Sequence, residues 1–512
     1  MPTNSYDLIV LGDDFAGLVA ATLCAKRGLR VLVLSQGRPT GYRLGPHQLP
    51  VEPLPFCGMG TPAVHRVLDE LGIVQALGRK LRKTSPSFQF VAPDIRLDVG
   101  DDDALLGTEL ARELTGQVSG RSGAAPASDE DDVSASATGT LSRASELARS
   151  FDDVLASPAE FPPSGFFKKR EAGRTATRLA EDSEEWLEQV SDDPVLGAMV
   201  GVPALLSTHT GLETLTPEAR ARTFHLWRMG VPRVRGDWDT MREIFVDKLD
   251  QANGETRVAR VEQLLFSWGK VNGVRLEGGE ELGATHVIAS MPVSDLAEVI
   301  GRKVPKRLAQ CVDGIQVAGY RYTLNLVVDE AGIPEGMGSQ VFLVSDVSGT
   351  PTADNAVAIH VGEPDDEARV VVTISAICPP PDDDQVLDDV LADLRVRLRE
   401  RLELVMPFFS EHVLVAHAPQ ETAPPEGLKS SPGKGFPVTP TPVWRSSLDA
   451  NFGVSAVPYS LGVKHLTVAS SQVLPQLGIE GEFVTGWCAA KQVCDALGRK
   501  RDYLENEVIR GS

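Results

Sequence analysis

Residues 6–35 read YDLIVLGDDFAGLVAATLCAKRGLRVLVLS, and the prediction of the fold begins from them. An apolar run at residues 8–11 reaches a glycine turn, and a segment of small residues with helical character follows at residues 15–26. A second apolar run at residues 31–34 closes a strand–turn–helix–strand unit of about 30 residues, which is typical of the start of a dinucleotide-binding fold. The sequence therefore predicts an α/β chain with a Rossmann-like domain at its start.

The turn departs from the dinucleotide-binding pattern at one position. The pattern is G-x-G-x-x-G, whereas this chain has Gly12-Asp13-Asp14-Phe15-Ala16-Gly17. Gly12 and Gly17 keep the roles that make the fold, and Asp14 replaces the glycine that lets the backbone approach a pyrophosphate. A carboxylate about 4 Å from a phosphate charge costs roughly 4 kcal/mol at an effective dielectric constant of 20. The alternative is structural: Asp is a favoured helix N-cap, so Asp14 would bond the amide of Ala16 or Gly17 and occupy the anion site itself.

The second strand ends without the acidic residue that usually binds the ribose hydroxyls. Ser35 and Gln36 stand there instead, and a missing charge-assisted hydrogen bond removes roughly 1.5–3 kcal/mol. Arg38 and Arg43 are the cations of the Gly- and Pro-rich passage that follows, where a phosphate contact and a solvated loop arginine are the two alternatives. The sequence therefore supports the fold more strongly than it supports an occupied nucleotide site.

Length, charge and cysteine usage bound the class of protein. The chain has 512 residues, which is too long for one hydrophobic core and favours two connected domains. Its net charge of −21 argues against a general nucleic-acid binder and against electrostatic attachment to an anionic membrane. The six cysteines include no CxxC pair and the nine histidines no HExxH motif, so no metal site is predicted. No apolar signal segment precedes the first strand, so a cytoplasmic location is the default expectation.

Three separated blocks carry a resemblance to a known family. The first block is the N-terminal unit. The second, residues 236–292, begins with GDWDTM and continues as a helix and short strands. The third, residues 466–497, consists of a strand, a loop and a helix. Their order resembles that of the FAD-dependent amine oxidase and phytoene desaturase superfamily. Residues 474–482, LPQLGIEGE, are similar to the loop that lies against the flavin in that family, and Val258 falls where the family's backbone contacts adenine.

The resemblance implies a flavoprotein that oxidises a small apolar or amine substrate. FAD would lie extended in the first domain with its isoalloxazine facing a cavity shared with the second, and would take a hydride or electrons from the substrate. No catalytic residue is named, because the cofactor performs the difficult step. A carotenoid-like substrate would place the cavity mouth at a membrane, and nothing in the composition supports that contact. The expected cofactor contacts are Gly12, Asp14, Phe15, Ala16, Gly17, Ser35, Gln36, Arg38, Val258, Ser471, Gly478, Ile479 and Glu480.

The order of elements predicts domains that are interleaved along the chain. Residues 115–140 contain few large apolar side chains and are expected to form a disordered insertion. Residues 315–377 alternate as strands and precede a helix, which predicts an α+β substrate domain. The expected divisions are residues 1–100, the first part of the FAD/NAD(P)-binding domain; 101–235, a helical cap with the insertion; 236–300, the second part of the FAD-binding domain; 301–455, the substrate domain; and 456–512, the C-terminal part of the FAD-binding domain.

Three departures from the family fall on ligand contacts. Asp14 replaces the middle glycine, Ser35 replaces a ribose-binding Glu, and Ser471 stands where the family has the carboxylate of Ala-Gly-Asp. If additive, these losses amount to roughly 5–10 kcal/mol of the ~12 kcal/mol of a nanomolar complex. Two hypotheses stay open: an FAD-dependent oxidoreductase of the desaturase or amine oxidase type, and a relative that has lost tight FAD binding and serves as a binding or interaction protein. A nicotinamide-dependent dehydrogenase is a third, against which the flavin-like C-terminal loop counts.

Overall fold

The predicted strand–turn–helix–strand unit is present in the computed structural model. The structure describes residues 5–498 apart from residues 54, 122–129, 156–160, 164–165, 235–236, 302–303, 383–384, 430 and 449–452. The unit consists of β1 (Ser5–Leu11), α1 (Phe15–Lys26) and β2 (Val31–Ser35). Both strands are almost wholly buried apolar runs, as parallel strands covered on both faces require.

The first sheet brings distant parts of the chain to one edge. Its order is β10 (Val261–Ser267), β11 (Lys270–Leu276), β12 (Glu281–Ala289), β1, β2 and β9 (Glu255–Val258), with β19 (Leu466–Val468) beside β12. All strands from β12 to β9, and β19, are parallel, so their carboxyl ends meet at one edge. The strand β12 runs unbroken and pairs with β1 from Gly283 to Ala289.

The second sheet is mostly antiparallel and has a helix on one face. Its order is β17 (Val413–His417), β13 (Ile315–Asp329), β16 (Arg369–Cys378), β15 (Ala356–Val361), β14 (Gln340–Val344), β6 (Phe88–Ala92) and β7 (Ile95–Val99), with β18 (Pro442–Ser446) beside β13. The helix α12 (Leu387–Val405) buries Leu391, Leu394, Leu398 and Leu402, which recur at helical spacing, in the same apolar cluster as the sheet. The predicted α+β arrangement is confirmed.

The β6–β7 hairpin shows how the two sheets share the chain. It lies within residues 1–100, yet β6 pairs in parallel with β14 of the second sheet. The remaining divisions proposed from the sequence stay predictions. The other elements are β3 (Gly41–Leu44), β4 (His47–Pro50), β5 (Leu81–Arg82), β8 (Arg233–Val234), α2 (Pro62–Leu71), α3 (Val74–Gly78), α4 (Asp103–Arg121), α5 (Glu130–Leu155), α6 (Phe166–Ser191), α7 (Pro194–Ser207), α8 (Pro217–Arg228), α9 (Asp237–Gln251), α10 (Val293–Ile300), α11 (Lys306–Gly314), α13 (Phe409–His412) and α14 (Gly478–Ala496).

The prediction of a disordered insertion at residues 115–140 was wrong for most of that stretch. Helix α4 continues to Arg121 and α5 begins at Glu130, while residues 122–129 lie outside the described residues. Alanine favours a helix, so a lack of large apolar side chains did not prevent helix formation. The rest of α5 then buries Leu141, Ala144 and Phe151 in the main core.

Helices α5, α6, α7 and α8 form a group, here called the cap, that contacts the second sheet through α7. Helices α5, α6, α7 and α8 pack on one another, and α14 packs along α1. Gly486 of α14 faces the carbonyl oxygen of Ala16, where a Cβ would lie 2.6 Å away, so the two helices approach closely. Among the described helices, none combines the length and apolarity needed to cross a membrane.

Candidate functional site

The two outer glycines of the turn are required by their contact with Ser290. Gly12 has φ +101°, and a Cβ there would lie 2.0 Å from the carbonyl oxygen of Ser290, which directly follows β12. A Cβ at Gly17 would lie 2.5 Å from the hydroxyl oxygen of the same serine. Both glycines therefore keep the roles expected of them, the turn and the close packing of helix against strand.

Asp14 is the N-cap of α1. Its carboxylate oxygen Oδ1 accepts a hydrogen bond from the amide of Gly17 at 3.1 Å and another from the hydroxyl of Ser290. Of the two alternatives for Asp14, the geometry matches the structural one, a helix cap. Its partner is the amide of Gly17 rather than that of Ala16. An amide that would otherwise face a bound anion is thus taken by a side chain of the protein.

The electrostatics of Asp14 differ from the sequence-based expectation. Burial raises the pKa of Asp14 well above its ordinary value, the negative charge of Glu482 raises it further, and the bond from Gly17 opposes the shift. Because a raised pKa favours the neutral carboxyl group, the charge repulsion calculated from the sequence overstates the obstacle to a phosphate. Two obstacles to a phosphate remain, because the side chain of Asp14 fills space and occupies the amide of Gly17.

Asp13 and Arg242 form an ion pair beside the end of β2. Ser35 donates a hydrogen bond from its hydroxyl to Oδ2 of Asp13 at 2.8 Å and accepts one from the amide of Gly37 at 3.0 Å. Arg242 on α9 donates to the same Asp13 oxygen, from Nε at 2.9 Å. Ser35 is therefore buried and committed to the chain's own groups at the position where the family binds ribose.

The other predicted contacts around β2 point away from a common site. Gln36 is exposed, and Arg38 reaches the second sheet, donating to the carbonyl oxygen of Thr439 at 3.0 Å. The two alternatives for Arg38 were a phosphate contact and a solvated loop side chain. Its guanidinium is half-exposed and also bonded to protein oxygens, so neither alternative holds as stated. Val258 does lie beside Ser35, its register partner, and its side chain is 72% exposed, so the adenine end of the predicted site is open to solvent.

Aromatic side chains fill the space behind the turn. Phe15 stacks on Phe483 of α14 with ring centroids 5.8 Å apart and meets Phe245 of α9 edge to face at 5.8 Å. Phe56 approaches the same ring at 6.4 Å. Phe15 and Ala16 are buried in this core, so they serve packing rather than presenting a surface to a ligand.

The start of α14, where the family's loop lies against flavin, is occupied by a buried ion pair. Glu480 is fully buried and accepts two hydrogen bonds from Arg222 of α8, at 2.7 Å from Nε and 2.6 Å from Nη2. Arg222 also donates to Asp152 of α5 at 2.7 Å. The two carboxylates hold the pKa of Arg222 above its ordinary value despite its burial.

The residues around Glu480 are equally enclosed. A Cβ at Gly478 would lie 2.3 Å from the carbonyl oxygen of Ser207, and one at Gly58 would lie 2.8 Å from Cβ of Glu480. Ile479 is fully buried. Ser471 lies in the turn after β19 and is partly exposed. The backbone here packs against protein rather than facing an open channel.

The face of the second sheet near Phe56 and Trp227 offers little room for a substrate. A void of about 50 Å³ lies there, lined by Phe56, Trp227, Phe342 and His360 among others. Ligand pockets for drug-sized molecules usually measure about 300–1,000 Å³. At this place the described residues therefore leave only a narrow gap, whose walls combine aromatic, aliphatic and polar side chains.

Sequence reasoning missed the partners that close this site. Ser290 and Arg222 contact the predicted residues Asp14 and Glu480, and Arg242 contacts Asp13, the partner of Ser35. None of the three lies in a recognisable motif. For Ser290 a signal existed, because it follows a strand expected to return to the first sheet. Arg222 is 258 positions from Glu480, and an arginine within PEARAR gives no sign of its partner.

Comparisons with known proteins identify the fold. No family model matches the chain, and no curated protein matches it by sequence. A putrescine oxidase solved with putrescine bound is similar over 97% of this chain and 100% of its own, with a TM-score of 0.58 and 15% identity. The cyclohexylamine oxidase of Brevibacterium oxydans matches over 96% and 100%, with a TM-score of 0.58 and 15% identity. The chain thus shares its overall fold with these two amine oxidases.

The same fold is found in a protein that is not named as an oxidase. A Rab GDI from Plasmodium falciparum is similar over 98% of this chain and 100% of its own, with a TM-score of 0.52 and 11% identity. At such identities the likeness concerns the fold alone, and function has to be argued from the site.

The residues present do not fit FAD in the position that the resemblance implies. The amide of Gly17 is bonded to Asp14, Ser35 is bonded to Asp13, and Glu480 is paired with Arg222. Binding the cofactor there would require these bonds to break and the phenylalanine cluster to move. No reaction step through a flavin follows from such a site.

The raised pKa of Asp14 predicts how stability depends on pH. Above pH of about 4 the unfolded chain loses this proton while the folded chain keeps it, so the free energy of unfolding falls as the pH rises towards the folded pKa. Asp14→Asn keeps a capping oxygen without the titration. Urea unfolding at several pH values should therefore show that the free energy of unfolding of the variant rises relative to that of the wild type as the pH rises. The difference should grow by up to about 1.4 kcal/mol per pH unit while Asp14 titrates. Parallel profiles would contradict the assignment.

Proposed function

We propose that the chain is a binding protein built on the amine oxidase fold, whose own side chains occupy the diphosphate and flavin positions of the family. The observation that carries this proposal is the bond between the Asp14 carboxyl group and the amide of Gly17, at the point where a dinucleotide phosphate would approach. The buried Arg222–Glu480 pair at the start of α14 supports it from the other end of the site. The likeness to named oxidases lends it no support, since that likeness reaches the fold alone.

A second candidate is an FAD-dependent amine oxidase. The likeness to putrescine oxidase and cyclohexylamine oxidase favours it, as do the kept glycines Gly12 and Gly17 and the exposed Val258. For this function the turn would have to open when FAD binds. A phytoene desaturase-like substrate has no observation in its favour. A cytoplasmic location and the lack of a nucleic-acid partner stay predictions from the sequence, and no observation supports a membrane contact.

An amine oxidation assay separates the two candidates. The purified chain is incubated with excess FAD and with putrescine or cyclohexylamine, and the remaining amine is measured. The binding-protein proposal expects no loss of amine beyond that with free FAD, because no described group holds the flavin against a substrate cavity. Amine loss that depends on the protein and is abolished by Gly12→Val would overturn the proposal in favour of the oxidase.

A further inference from the structure

A cleft on the outer side of the cap lies away from the predicted flavin position. It encloses about 370 Å³ between α7, the turn after it and the β14–β15 connection. Its size falls within the range of small-molecule sites. Apolar side chains supply much of the wall, including Val202, Leu212, Val344 and Val347.

Small residues on α7 create the space. Gly197 and Gly201 are four positions apart, so they lie on one helix face, and Ala198 adjoins them. A Cβ at Gly197 or Gly201 would find its nearest neighbours at 3.8 Å, an ordinary contact distance. The two glycines are therefore not forced by close packing, and larger residues there would grow into the cleft.

The guanidinium of Arg220 lines this cleft without an acidic partner. Its Nη2 donates to the carbonyl oxygen of Leu212 at 3.0 Å, while its buried Nε has no hydrogen-bond acceptor. Within the described part of the chain no carboxylate lies within the 4.0 Å of an ion pair with Arg220, although Arg222, two positions along α8, has two. Burial lowers the pKa of Arg220, and no opposing carboxylate raises it.

A largely buried guanidinium without a counter-charge is costly for a folded protein unless an anion compensates it. Arginine remains charged even when its pKa is lowered, and its donors suit carboxylate and phosphate groups. We propose that this cleft binds a small amphiphilic anion, whose head group pairs with Arg220 and whose apolar part lies along Gly197, Ala198 and Gly201. The site is separate from the closed flavin position, so the proposal stands whether or not FAD binds.

Calorimetric titration with octanoate and with octyl phosphate tests the site, and octylamine serves as the probe of opposite charge. One or both anions should bind the wild-type chain, and octylamine should not. Arg220→Gln should weaken the binding about ten- to a hundredfold, because a charge-assisted hydrogen bond is lost. The tighter of the two anions identifies the head group. Gly201→Leu should block both anions by filling the apolar end of the cleft.

Two controls keep the outcome decisive. Arg112→Gln removes the same charge from an exposed position on α4 and should leave anion binding unchanged. The melting temperature of Arg220→Gln should equal or exceed that of the wild type, because an unpaired buried charge is removed. Binding of neither anion, equal binding by Arg220→Gln and the wild type, or tight binding of octylamine would each overturn the proposal.

Discussion

The triple variant Asp14→Gly, Ser35→Glu, Ser471→Asp should bind FAD at least a hundredfold more tightly than the wild-type chain. Asp14→Gly frees the amide of Gly17 and removes a side chain from the phosphate position. Each restored carboxylate can accept charge-assisted hydrogen bonds from the ligand, worth roughly 1.5–3 kcal/mol, and two such contacts amount to a factor of about 10² or more. Flavin fluorescence during titration with protein measures the affinity.

A matched variant isolates the part played by residue 14. Asp14→Asn, Ser35→Glu, Ser471→Asp restores the same two carboxylates but keeps an oxygen that can cap Gly17. It should bind FAD much more weakly than the glycine version, because the amide remains engaged. If both variants bind FAD no better than the wild type, these positions are not lost cofactor contacts.

Arg222→Met should destabilise the chain by about 3–5 kcal/mol. The guanidinium is buried and bonds Glu480, Asp152 and the carbonyl oxygen of Ala148, so it joins α8 to α14 and α5. Methionine keeps much of the side-chain length but leaves the carboxylate of Glu480 buried without a counter-charge, which accounts for an effect of that size. Urea unfolding, followed by circular dichroism, gives the free energy of unfolding.

Two further variants separate the buried charge from the lost volume. Arg143→Met breaks an exposed pair with Glu185 and should change the free energy of unfolding by no more than about 1 kcal/mol. Arg222→Met combined with Glu480→Leu should recover much of the stability, because neither charge is then left alone. An Arg222→Met variant as stable as Arg143→Met would show that the pair does not hold α14 in place.

The parts of the fold that local sequence determines were predictable. Residues 6–35 contain a complete supersecondary unit, and its apolar runs and glycines correspond to β1, α1 and β2. Capping by Asp14, one of the two alternatives left open from the sequence, could be foreseen because capping acts over three positions. The helices at residues 115–121 and 130–140 were missed because few large apolar side chains marked them.

The closure of the site could not be predicted, because it depends on contacts between remote residues. Ser290 reaches Asp14 across 276 positions, and Arg242 reaches Asp13 across 229. The sequence predicts that Glu480 belongs to a loop that contacts flavin. Only the structure shows that Arg222 balances the charge of its carboxylate. The predicted cofactor contacts thus stay a prediction, while the structure shows which protein groups those residues contact.

The visible absorption spectrum of the purified wild-type chain, before and after addition of excess FAD and removal of free flavin, tests the central claim most directly. The account predicts no flavin band in either state, with circular dichroism of a folded α/β protein, because Asp14, Asp13 and Arg222 keep the family's cofactor position closed. A flavin band that copurifies, or that remains after free FAD is removed, would contradict it and make the amine oxidase candidate the working function.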